Sequence, residues 1–276
     1  MRRLSFGLAM AALAAFAPLA PVRADLQVDP LNSPMWDTLA KRFFDGAPVV
    51  FDARVKIVVP SITENQAQVP VTADARQVQG VTKMIVFADL NPIQHVLTLT
   101  PNKAQAYVSF RMKVEQATPV RAAALDGNGV WHVGGVFLEA AGGGCSAPAM
   151  ARKDADWSET LGQSHGKMYR DADGTTRARL RVRHPMDTGL AKDNTPAYYI
   201  ERVEARAASG EPLASIEMFE PVAEDPTLTL LFRLPQSESG VDIDSRDNNG
   251  GTYRSRLPAP WNQSDVTPFG RTVAPC

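Results

Sequence analysis

Two cysteines are the residues best equipped for chemistry in this chain of 276 residues. Cys145 lies in "AAGGGCSAPA", directly behind Gly142, Gly143 and Gly144, and Cys276 is the final residue. A thiol reacts as thiolate, and an unperturbed one, with a pKa of about 8.5, is roughly 3% ionised at pH 7. Neither flank of Cys145 supplies charge or bulk, and His132 and His165 are distant in sequence. Glycines make the backbone slim and free in φ, so the run can act as an arm. It would carry the thiol up to ~17 Å past Ala140, at ~3.3 Å per residue. The same run can be a plain turn out of a strand, and these residues alone leave both readings open. A Cys145–Cys276 disulfide is a third account, tying loop to tail across a long intervening chain.

Other chemistries find little support. His95, His132, His165 and His184 occur singly, and no CxxC is present, so no zinc or copper site is expected. The acidic stretches "RDADG" and "DIDSRDNNGG" lack calcium-loop spacing and read as turns. Gly142 to Gly144 sit in no phosphate-binding context, and "GGGCS" is not a GxSxG elbow. A formal net charge of -1 argues against a nucleic-acid partner. No cofactor is expected from these residues.

The elements that must position this thiol are mostly strands. Residues 1–24 read as a cleavable signal peptide, with "MRR", an apolar run and "VRA" in order, so export to an oxidising bacterial periplasm is expected, without a membrane span. "SPMWDTLAKRFF" predicts a short amphipathic helix, with Ser33 as N-cap and Met35, Leu39 and Phe43 along one face. From Val49 the period becomes two, and about seven short strands follow to Ala140. "DGNG" at 126–129 predicts a hairpin. Residues 146–175 show no strand alternation and read as a linker. About six further strands begin at Thr176, where Arg177, Arg179, Arg181 and Arg183 alternate with Ala178, Leu180 and Val182. "RDNNGG" predicts a second hairpin, and 258–276 form a proline-rich tail. The expected fold is thus all-β: one sandwich over 25–145 with a short N-terminal helix, a linker, and a smaller sandwich over 176–257.

At this level the chain resembles a known family. "GGVFLEAAGGGCSAP" is similar to the carrier-cysteine segment of SoxY, a protein of thiosulfate oxidation, and "RLRVRHPMDTGLAKD" through "LFRLP" is similar to SoxZ, with "HPMDTG" its most specific run. Both halves on one chain resemble the fused SoxYZ-like carriers associated with quinoprotein dehydrogenases. The resemblance implies immunoglobulin-like sandwiches and a covalent sulfur adduct on Cys145, with Gly142 to Gly144 as the arm. It implies a carrier, not an enzyme, whose partners are Sox-type sulfur-oxidising enzymes or a quinoprotein dehydrogenase and its cytochrome. SoxY ends on its cysteine segment; here Ser146, Ala147 and Pro148 continue the chain. Cys276 has no counterpart and its role is left unassigned. The competing readings are a non-covalent scaffold with a passive or disulfide-bonded Cys145, and a thiol enzyme with a histidine beside it. By its residues, "HPMDTG" is either a structural corner or a contact to the other half or to the arm.

Overall fold

The computed structural model describes residues 28–262. The expected signal peptide, most of the tail and Cys276 lie outside them. Helix α1 (Trp36–Phe44) is followed by β1 (Val49–Phe51), β2 (Lys56–Val58), β3 (Val69–Asp74), β4 (Lys83–Ala88), β5 (His95–Thr100), β6 (Ala104–Met112), β7 (Thr118–Leu125) and β8 (Trp131–Leu138). A second group comprises β9 (Ser164–Arg170), β10 (Thr176–Val182), β11 (Ile200–Ala207), β12 (Pro212–Met218), β13 (Thr227–Phe232), β14 (Gly240–Asp247) and β15 (Thr252–Pro258). The all-β expectation is met, with two sheets and one short α-helix among the described residues, and both predicted hairpins join their strands, β7 to β8 and β14 to β15.

The two halves are not beads on a string. A nine-stranded sheet runs β1-β8-β7-β4-β5-β12-β11-β14-β15, and a six-stranded sheet runs β2-β3-β6-β13-β10-β9. Each sheet crosses from the first half to the second. The crossing is β5 on β12 in one layer, with Leu97 opposite Met218 and Leu99 opposite Ile216. In the other layer β6 pairs with β13, with Val108 opposite Leu230 and Ser109 opposite Thr229. Strand edges that would be open in a separate sandwich are thereby consumed. One core runs through the seam, and Leu99, Val108, Ile216 and Leu230 all belong to it.

Three local expectations need correction. "VVFDARVKIVVP" reads as one strand, but the chain turns at Asp52: β1 lies parallel to β8 in the large sheet, and β2 lies against β3 in the small one. The Asp52 carboxylate holds the turn by accepting the Arg54 backbone N–H at 2.9 Å and its Nη2 at 2.6 Å. The stretch 146–175, read as a linker, contains β9, a full partner of β10. Only Met168 of β9 is buried, so an edge strand of Ser, His, Lys and Arg carries no alternation to detect. Helix α1 starts at Trp36, after Ser33 and Pro34. Its buried face is Trp36, Leu39, Ala40 and Phe44, with Met35 and Phe43 only partly covered. It packs over Ile85, Phe87, Ala123 and Trp131 on the outer face of the large sheet.

Leu99→Ala removes a fully buried side chain beside the seam. A loss of about 2–5 kcal/mol is expected. Because the core is shared, denaturant unfolding should stay one transition at both β6 and β13. Two transitions, with only the first half destabilised, would contradict the shared core.

Candidate functional site

The site forms where the chain leaves β6 and β8. Past Met112, where β6 ends, the chain runs on through Lys113, Val114 and Glu115. After β8 the chain runs back alongside: the Gly143 N–H donates to the Glu115 carbonyl at 3.1 Å and the Gly144 N–H to the Val114 carbonyl at 3.0 Å. The Val114 N–H in turn donates to the Gln66 carbonyl at 2.8 Å. Gly144 is forced by this closeness, since a Cβ there would lie 2.1 Å from the Gln66 carbonyl oxygen and 2.7 Å from that of Val114. The Gly142–Gly144 segment, expected to be a projecting arm, therefore lies docked, and Cys145 is only 1% exposed.

Three residues fix the docked thiol. Glu115 accepts from the Cys145 N–H at 2.9 Å, the Ser146 N–H at 3.0 Å and the Ser146 hydroxyl at 2.9 Å. The Thr188 hydroxyl donates to the Cys145 carbonyl at 2.6 Å. The buried Lys113 ammonium donates to the Met186 carbonyl. Met186 and Thr188 belong to the "HPMDTG" run, so this run is both a corner of the second half and a contact to the Cys145 segment. Neighbouring His184 is fully buried; its Nδ1 accepts from the Met186 N–H at 3.1 Å, which leaves the proton on Nε2 of the neutral ring. Burial holds its pKa below the usual histidine range. The segment following the thiol is also anchored, by the Met150 N–H to Glu224 at 2.6 Å and by Arg152 to Asp187 at 2.5 Å.

Electrostatics keep the docked thiol inert. Burial, reinforced by the Glu115 charge, pushes Cys145 up to about 12, although Lys113 works against the rise. Burial pushes Lys113 down to about 8, despite its acidic neighbours. The buried Cys145 is thus a protonated thiol at neutral pH.

The other histidines are occupied elsewhere. His132 contacts Asp52 at 2.8 Å and Asp126 at 3.3 Å, and His95 stacks on Phe219. His165 lies on exposed β9. Among the described residues no histidine hydrogen-bonds to Cys145, and no group of His, Cys, Asp and Glu could hold a metal ion. No helix among them is long and apolar enough to cross a membrane. Lys113 and Glu115 were missed by sequence reasoning. They sit at the outward parity of β6, and what covers them comes from residues 143–146 and 186–188.

Comparison with known proteins fits this geometry. The family model "Sulfur oxidation protein SoxY" matches residues 40–145, ending on Cys145, and "Sulphur oxidation protein SoxZ" matches residues 167–258. The fold and site therefore define a two-part sulfur-oxidation sandwich, closed around a thiol. The chain belongs to the SoxYZ-like sulfur carrier family, with its SoxY and SoxZ parts fused. Among solved structures, the sulfur carrier protein SoxY from Chlorobium limicola f thiosulfatophilum is 23% identical with a TM-score of 0.34, covering 38% of this chain and 94% of that one. The exo-chitosanase CsxA of Amycolatopsis orientalis is 11% identical with a TM-score of 0.23, covering 74% of this chain and 26% of that one. No curated protein matches.

Release can be read by alkylation. Iodoacetamide should label Cys145 more slowly than an exposed thiol at neutral pH, with a rate that keeps climbing above the usual thiol range, because burial disfavours the thiolate. A rate already level at pH 9, as for an exposed thiol, would contradict the buried, protonated state. Glu115→Ala, which removes charge-assisted hydrogen bonds each worth ~1.5 kcal/mol or more, and Gly144→Ala, whose Cβ would collide with the Gln66 and Val114 carbonyl oxygens, should each speed labelling by about tenfold or more. Unchanged rates would show that these contacts do not hold the thiol.

Proposed function

We propose that this chain is a periplasmic carrier that bears a sulfur adduct on Cys145 and presents it to partner enzymes, without catalysing turnover itself. The observation that carries the reading is the position of Cys145: it ends the SoxY-matched segment, and hydrogen bonds to Glu115 and Thr188 hold its backbone against both halves. On this reading the glycines allow two states. Docked, the thiol is protonated and shielded; released, it ionises and can enter a partner's cleft. The sulfur-oxidising enzymes of the family are the expected partners, and a quinoprotein dehydrogenase system is the expected metabolic setting. The signal-like residues 1–24 support export.

One observation favours the scaffold reading instead, the near-complete burial of Cys145. Intact-mass measurement after incubation with tetrathionate separates the two. The thiolate attacks the central S–S bond, forms Cys–S–S–SO3⁻ and expels thiosulfate, so no further oxidant is needed. In a Cys276→Ala background, one adduct is expected where Cys145 is present, more rapidly on Glu115→Ala, and none on Cys145→Ala. Absence of adduct in that background, with or without Glu115→Ala, would leave a passive cysteine in a scaffold.

A further inference from the structure

The outer face of the six-stranded sheet carries charge that the chain does not neutralise. Cross-strand register sets Lys167 of β9 directly opposite Arg179 of β10, and Tyr169 opposite Arg177. Like charges placed directly opposite on a sheet face repel. Arg177 reaches Asp171 at 3.3 Å, and Arg181 and Arg183 reach Asp225 at 2.5 and 3.1 Å. Among the described residues Arg179, Lys167 and Arg111 of β6 make no ion pair, and all three are exposed. Arg111 and Arg179 line one shallow groove, with Tyr107 and Tyr169 beside them.

The nine-stranded sheet provides an internal comparison. Its exposed arginines are matched by carboxylates: Arg246 with Glu201 at 3.1 Å, Arg254 with Asp244 at 3.0 Å and Arg256 with Asp242 at 3.2 Å. The whole chain holds 29 Lys and Arg against 30 Asp and Glu, so a shortage of acids does not account for the bare face. Among the described strands, the arginines without an ion pair lie on the six-stranded sheet.

This face also points at the thiol. Strands β6 and β10 are both antiparallel to β13 and so run the same way. Their C-terminal ends lead into Lys113–Glu115 and His184–Thr188, the two segments that hold Cys145. Arg111 comes from the SoxY half and Arg179 from the SoxZ half, so the face exists only because the β6–β13 seam forms.

We infer that this face docks the acidic rim of the partner enzyme whose cleft receives Cys145. The inference rests on the carrier reading and supplies the surface by which a partner finds the thiol. Unpaired cations steer an acidic surface into register, and tyrosines at the groove suit a protein interface. The partner's charge would then also satisfy the repulsion between Lys167 and Arg179.

Two measurements test it on the full chain. Amide chemical shifts are followed during titration with a glutamate-rich dodecapeptide as the acidic probe. Shifts should concentrate on β6, β9, β10 and β13 and collapse between about 20 and about 200 mM salt, as screening predicts. They should be lost in Arg111→Glu/Arg179→Glu and retained in Arg254→Glu. Shifts on the nine-stranded sheet, survival in the double variant, or the same pattern with thiosulfate alone would overturn a protein-docking face. In the second measurement, the tetrathionate-loaded chain meets a purified sulfur-oxidising enzyme. The double variant should transfer sulfur about tenfold more slowly at low salt, with a flattened salt dependence. An unchanged rate would overturn the inference. If the wild type takes no adduct on Cys145 yet shows the charge-dependent shift pattern, carriage fails and the docking face stands.

Discussion

The pairing of β5 with β12 and of β6 with β13 is the constraint on which the rest depends. Each half leaves two edge strands, and each edge finds its partner on the other half. The consequence is a shared core, and past it a shared rim where β6 hands the chain to Lys113 and Glu115 and β10 hands it to the 184–188 corner. The Cys145 segment settles between these two exits, bonded to Glu115 on one side and Thr188 on the other. Neither half alone has both sets of contacts.

Fold class was readable because the signals were local. Alternating burial in β10, with Ala178, Leu180 and Val182 inward and the arginines outward, follows the sequence period directly, and both Gly-containing hairpins formed where their turn residues stand. What escaped notice depends on distant residues. β9 has one buried side chain, Met168, and becomes a strand through its ladder with β10. The continuity of the two sheets has no short-range mark in β5, β6, β12 or β13.

The site was legible in part for the same reason. Cys145 and its glycines stood out by composition. Yet glycine's freedom served opposite ends: the sequence pattern suggested reach, whereas at Gly144 the missing side chain permits backbone packing against Gln66 and Val114. Lys113 and Glu115 occupy the same parity as exposed Arg111, and nothing in their own stretch announces a cover. A lysine on a polar strand face becomes a buried ammonium only once a corner more than seventy residues downstream folds over it.

Fusion of the halves has its own consequence. Between β8 and β9 the chain passes through the thiol and the anchors at Met150 and Arg152. The seam is therefore an intramolecular contact, governed by an effective concentration set by this connection rather than by the amount of protein present. Two separate chains with the same seam would come apart on dilution and open the rim around the cysteine. In the fused chain the stoichiometry is fixed at one to one, and shelter for the thiol is independent of abundance.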